Sequence, residues 1–152
     1  MSTSAAVIIE PYLFFPGTCE EAIEFYKTAL DATCDCVMRY SDSPEPAPPG
    51  TVQPGFENKV MHATFHVGGS AIMASDDGCG EARPFGGFSL TIALSDKEQA
   101  TKYFNALAEG GAVTMPLGET FWSPLFGSVT DKFGVNWMIN VLPATPSAQA
   151  SH

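Results

Sequence analysis

The sequence predicts an α+β protein of two tandem β-α-β-β-β modules, and three observations carry that prediction. A helical pattern occurs twice, as TCEEAIEFYKTAL from Thr18 and DKEQATKYFNALAEGG from Asp96, with Thr18 and Asp96, like Phe25 and Tyr103, 78 positions apart. Each copy has a short β-like run before it and another after it. Each half then closes on two alternating runs around a turn. A matching order of elements in both halves marks an internal duplication.

The run VIIEPYLFF (7–15) reads as the first strand. Thr18 with Glu21 has capping-box spacing, and Ala22, Phe25, Tyr26 and Ala29 follow at helical intervals. CDCVMRY supplies a second strand, on which Cys34 and Cys36 are expected to share one face. KVMHATFHV and SAIMAS flank Gly68-Gly69, a two-residue hairpin signal. In the second half GFSLTIAL precedes the helix, where Asp96 and Gln99 repeat the box and Ala100, Tyr103, Phe104 and Leu107 repeat the stripe. AVTMP follows, then LFGSVT and VNWMINV around a turn at Asp131 to Gly134. The whole chain, 1–152, is expected to be one domain with modules at about 7–76 and 87–142, a Pro-rich loop at 41–58 and a flexible tail at 143–152.

Composition narrows the function classes. An apolar fraction of 45% with 11 Phe, 4 Tyr and 2 Trp is ample for a packed core. Seven basic against 17 acidic residues give a net charge of −10, which repels nucleic-acid phosphate and anionic membrane surfaces and excludes both as partners. The same charge serves solubility, and it would suit a cationic ligand. No apolar run reaches membrane-span length, and MSTSAAVIIEPY lacks the pattern of a signal peptide. Cys19, Cys34, Cys36 and Cys79 form no C-x-x-C pair and read as reduced thiols of a cytoplasmic protein.

Strand alternation sorts the side chains onto two faces. Leu13, Phe15, Met61, Ala63, Phe65, Leu90, Ile92, Leu94, Trp137, Ile139 and Val141 fall on an apolar face that must pack under the helices. Glu10, Tyr12, Phe14, His62, Thr64, His66, Ser89, Thr91, Asn136, Met138 and Asn140 fall on the other, which is polar yet carries large side chains. The Gly68-Gly69 turn adds Ser75 opposite His62 and Met73 opposite Thr64. This second face suits a ligand-binding cup, with a plain solvent-facing surface as the alternative. His62 could bind a ligand acceptor or move a proton, or it could be satisfied by Ser75.

PYLFFPGTCEEAIEFYKTAL, KVMHATFHVGGSAIMASD and ETFWSPLFGSVTDKFGVNWMINV, covering about Glu10 to Val141, resemble the PhnB-like branch of the vicinal oxygen chelate superfamily of glyoxalases, bleomycin-resistance proteins and extradiol dioxygenases. The resemblance implies the glyoxalase/bleomycin-resistance-like fold, a curved and mainly antiparallel sheet with helices on its outer face, and a homodimer whose paired modules complete a cup. It places Trp137 in the core and Trp122 at the rim. Metal-dependent members project four His or Glu side chains into the cup, and those places carry over to Glu10, His62, Ser89 and Met138. A neutral serine and a thioether are poor ligands for a hard divalent ion, so no metal and no other cofactor is expected, a divalent ion remaining the alternative.

The reading is therefore a PhnB-like protein binding an unidentified small molecule, with ligand-binding candidates Glu10, Tyr12, His62, Thr64, Ser75, Ser89, Trp122 and Met138 and one catalytic candidate, His62. Whether any reaction is catalysed stays open. The alternatives are a metal-dependent lyase or dioxygenase of the superfamily, and a protein that sequesters a cationic, aromatic antibiotic. The chain has no G-x-x-x-x-G-K-[ST] loop and no G-x-S-x-G elbow. Relatives are sometimes labelled ubiquinone-pathway methyltransferases, but no Gly-rich strand-to-helix turn supports that activity here.

Overall fold

The computed structural model describes residues 7–42, 54–76 and 84–143. The chain divides into two compact units, Met1–Arg83 and Pro84–His152. The first contains strand β1 (Tyr12–Phe15), helix α1 (Cys19–Leu30), β2 (Thr33–Arg39), β3 (Val60–Val67) and β4 (Ser70–Asp76), with a 3-10 turn at Tyr40–Asp42. The second contains β5 (Leu90–Leu94), α2 (Lys97–Ala108), β6 (Ala112–Gly118), β7 (Leu125–Thr130) and β8 (Asn136–Val141). The duplicated β-α-β-β-β order is thus present in the fold. Most of the Pro-rich loop, Cys79 and nearly all of the tail lie outside the described residues.

Both units use one topology. The strand orders are β1-β4-β3-β2 and β5-β8-β7-β6. In each sheet two ladders are antiparallel, and the first strand of the unit pairs in parallel with the last. The helix supplies the crossover that a parallel connection requires. Gly68 has φ +59° in the tight hairpin that joins Val67 to Ser70, a conformation a side chain would resist.

Within each unit the helix packs on one face of its sheet. In the first, Leu13, Phe15, Ala63, Phe65 and Ala74 are buried with Ala22, Ile23, Tyr26 and Leu30 of α1, and the Tyr26 and Phe65 rings stack at 5.5 Å. In the second, Trp137, Ile139 and Val141 are buried with Ala100, Tyr103, Phe104 and Leu107 of α2. Phe25 is only half-buried, at the margin of the α1 stripe, while Leu90, Ile92 and Leu94 are half-buried on β5, the edge strand of its sheet.

Four expectations need correction. The first strand begins at Tyr12, and Val7 to Glu10 are exposed outside it. Met61 is half-buried, and Val60 takes its place in the core. The cause is an irregularity in pairing: Arg39 faces Val60 but Met38 faces His62, so Met61 bulges out and the alternation changes phase. A second bulge separates Cys34 from Cys36. Cys34 faces the buried Phe65 and Cys36 faces Thr64, so the two thiols belong to opposite faces. Finally, Thr18 makes no side-chain cap on α1. Its φ of −111° and ψ of 18° are not extended, and the Cys19 N–H donates instead to Asp76 Oδ1 at 2.8 Å. Asp76 Oδ2 accepts from the Val60 N–H at 3.0 Å, so one buried carboxylate joins the helix start to the start of β3.

Candidate functional site

The sheet face of the first unit that α1 leaves uncovered holds four of the eight expected ligand-binding side chains, Tyr12, His62, Thr64 and Ser75. The β1–β4 register puts Tyr12 beside Met73 and Phe14 beside Ser75, and the β3–β4 register puts Thr64 on the other side of Met73. The Tyr12 and Phe14 rings stack at 4.8 Å although they are two residues apart on a strand. They stay 37% and 56% exposed, which makes an aromatic platform open to solvent.

His62 stands next to that platform. Tyr12 Oη lies 3.1 Å from its Nδ1, the two rings are 5.7 Å apart, and Thr64 Oγ1 lies 3.4 Å from its Nε2. The hydrogen-bond partners of His62 are therefore Tyr12 and Thr64 rather than Ser75, which is buried beside Phe14. One nitrogen is held at a normal hydrogen-bond length and the other only loosely, so Nε2 is the atom a bound group could engage. Farther along β3, His66 Nδ1 lies 2.9 Å from the Asp35 carboxylate but is not aligned for a hydrogen bond.

In the second unit the polar face is already knitted together. The Ser89 hydroxyl makes a short hydrogen bond to Asn136 Oδ1, which also accepts from Ser128 Oγ at 3.3 Å. Thr114 donates to Ser128 at 2.8 Å, and Asn136 Nδ2 donates to Thr130 at 3.0 Å. Met138 sits half-buried between Thr91 and Ser128, and the buried Asn140 Oδ1 has no hydrogen-bond partner. Trp122, 47% exposed in the β6–β7 loop, packs edge-on against Phe126 at 5.3 Å and Phe121 at 4.8 Å. Trp122 is therefore part of an aromatic trio.

A hard divalent ion does not fit these residues. Glu10 is exposed and precedes the strand, the Ser89 hydroxyl is engaged by Asn136, and Met138 offers a thioether. The registers also match Met73, which lies between Tyr12 and Thr64, with Met138, which lies between Thr91 and Ser128. The first-unit counterpart of Met138 is thus Met73. Among the described residues no three His, Cys, Asp or Glu side chains cluster as a metal site.

A depression of about 450 Å³ lies on the helix side of the first unit, lined by Glu20, Glu21, Glu24, Lys59 and Asp76 among others. Much of its charge is committed to structure. Arg39 makes a two-pronged ion pair with Glu20, and its hydrogen bond holds the Glu20 carboxyl below the usual range. Lys27 pairs with Glu24, Lys59 donates to the Gly17 carbonyl, and Asp76 serves the two backbone N–H groups. Next to it the Cys19 thiol is pushed far above its ordinary value by burial and then by Asp76.

The TDKFGVNW stretch, Thr130 to Trp137, is structural. Asp131 is buried, its Oδ1 accepts from the Phe133 and Val135 N–H groups, and its Oδ2 accepts from the Trp137 indole at 2.9 Å. Sequence reasoning missed Cys36 and Met38, which share the His62 face because of the bulges in the β2–β3 pairing. No local pattern announces a bulge that depends on a partner strand.

Residues 7–140 match the family model described as 3-demethylubiquinone-9 3-methyltransferase. A crystal structure of protein PA1353 from Pseudomonas aeruginosa is 43% identical, with 90% of this chain and 98% of that one covered at a TM-score of 0.79. The PhnB protein from Bacillus cereus, itself described as a putative member of the same methyltransferase class, is 32% identical over 88% of this chain and 98% of its own, at a TM-score of 0.73. A glyoxylase/bleomycin resistance protein/dioxygenase domain from Frankia sp. EAN1pec shares the fold at 15% identity and a TM-score of 0.67, with 92% of this chain and all of that one covered. With its duplicated β-α-β-β-β units, the chain belongs to this PhnB-like family, described as 3-demethylubiquinone-9 3-methyltransferase, within the glyoxalase/bleomycin resistance/dioxygenase fold.

Proposed function

We propose that this protein binds a small, flat organic molecule against the uncovered face of its first sheet. The observation that carries the reading is the exposed Tyr12–Phe14 stack with His62 beside it. Aromatic rings left in solvent favour a planar, weakly hydrated ligand, and the loosely held Nε2 offers one directional hydrogen bond. Such a face orients a ligand and can exchange a proton with it at His62. The −10 charge and the Phe121–Trp122–Phe126 trio support a second reading, sequestration of a cationic aromatic compound.

Methyl transfer, the activity in the family's description, finds no matching site among the described residues. Gly68 and Gly69 lie in a hairpin, and Gly110 and Gly111 follow the end of α2, where glycine stops a helix. Neither pair opens a strand-to-helix turn of the cofactor-binding kind.

A thermal-shift screen of aromatic metabolites and cationic aromatic drugs tests the reading, because a bound ligand raises the melting temperature by mass action. Hits are expected to be lost in Tyr12→Ala and weakened in His62→Ala. Hits indifferent to both substitutions, or an inert panel, would overturn it.

A further inference from the structure

The same face is rich in sulfur. Cys36, Thr64 and Met73 form one row across β2, β3 and β4, and Met38 and His62 form the next row of the β2–β3 ladder. Adjacent strands lie about 4.8 Å apart and directly opposed side chains about 5 Å apart at Cβ. The short Thr64 therefore stands between a thiol and a thioether, with a second thioether across from His62. Cys36 is exposed, Met38 is 40% exposed and Met73 is half-buried.

The imidazole reaches Thr64, the middle residue of the Cys36–Thr64–Met73 row, its Nε2 3.4 Å from Thr64 Oγ1. Its Nδ1 is held by Tyr12 at 3.1 Å. When Nδ1–H donates to the Tyr12 oxygen, Nε2 carries the lone pair on the side of Thr64, the residue between Cys36 and Met73. This is how an outer partner orients a metal-binding histidine.

We propose that Cys36, His62, Met38 and Met73 form a binding site for a soft monovalent cation, copper(I). Thiolate, thioether and imidazole donors select copper(I) over hard divalent ions. On binding, a Cys36 Sγ–Cu bond forms, the thiol proton leaves to solvent, and copper stays in the +1 state, so no electron moves. The thiolate and the ion cancel in charge, so binding leaves no net charge on the face. This site goes beyond the small-molecule reading and stands without it.

The test is titration of the reduced full-length protein with copper(I), under anaerobic conditions, against a chromophoric copper(I) chelator. One equivalent is expected to be taken up, with proton release and a shift of the His62 ring resonances. Cys36→Ser should weaken binding by more than the roughly 10–100-fold that loss of an outer-shell partner costs. The double variant Met38→Leu/Met73→Leu should weaken it by about tenfold or more, and Tyr12→Phe, which removes the outer partner, by about tenfold. Cys34→Ala, on the opposite face, should retain binding, and melting curves check that each variant is folded. No stoichiometric uptake by the parent protein would overturn the proposal, as would uptake unchanged in Cys36→Ser or lost equally in Cys34→Ala. Cys36→Ser is expected to leave the response to aromatic ligands intact, so failure of the copper site and failure of the small-molecule reading are told apart.

Discussion

His62 and Phe65 lie three residues apart on one strand and face opposite ways, one toward the aromatic platform and the other stacked on Tyr26 in the core. Replacing each by alanine separates binding from stability. Phe65→Ala should cost about 3–5 kcal/mol through the cavity it leaves, read as a lower denaturant midpoint. His62→Ala should leave the fold intact and weaken ligand binding by about 1–3 kcal/mol. The reverse pattern would mean that the two faces are inverted. Asp131 is the other residue whose loss should be severe. Asp131→Ala strands two backbone N–H groups and the Trp137 indole N–H, each worth about 1–3 kcal/mol when left unpaired in the interior. A drop of about 3 kcal/mol or more in unfolding free energy, followed by tryptophan fluorescence, is the expected outcome. A drop below about 1 kcal/mol would show that water replaces the carboxylate.

At the scale of elements, the two helices begin differently despite similar capping sequences. Asp96 accepts from the Glu98 and Gln99 N–H groups, whereas the first N–H of α1 is served by Asp76 from the end of β4. Asp96→Ala should therefore cost about 1 kcal/mol, while Thr18→Ala should stay within about 0.5 kcal/mol of the parent protein in chemical denaturation. Equal losses would show that Thr18 caps α1 after all. The tie between β2 and α1 carries a pH signature. Arg39, by hydrogen bond and by charge, lowers the Glu20 carboxyl relative to the unfolded chain. Its contribution is present above the unfolded value and is lost as pH falls through the lower, folded one. Glu20 is largely exposed, so the effect should be small. Glu20→Gln is expected to flatten the acid limb of stability against pH slightly, and an unchanged limb would remove the ion pair from the account.

For the molecule as a whole, we propose that the protein works as a homodimer. Each sheet ends on one side in a first strand, β1 or β5, that pairs within its sheet on one edge only, and Val7, Ile8 and Ile9 next to β1 are 96%, 70% and 93% exposed. An apolar run beside an open sheet edge favours association. Sedimentation at micromolar concentration should report the dimer mass, and a monomer there would sink the proposal. The net charge of −10 works against unspecific association, so a dimer that persists at low salt would be held by apolar contact rather than by charge.

The amino-acid sequence alone determined the duplicated β-α-β-β-β order, both helical stripes, both hairpins and the core position of Trp137. These follow from local periodicity and turn chemistry, which a chain carries wherever it folds. It also put Tyr12, His62 and Thr64 on a common face. Tertiary structure decided the rest. The bulges around Asp35 and Met61 exist only because β2 pairs with β3, and they moved Cys36 away from Cys34 and put Val60 in the core. The α1 cap came from Asp76, 57 residues beyond Cys19, and the partners of His62 included Tyr12, 50 residues before it. Contacts across such distances depend on which strands become neighbours, and no local pattern encodes that choice.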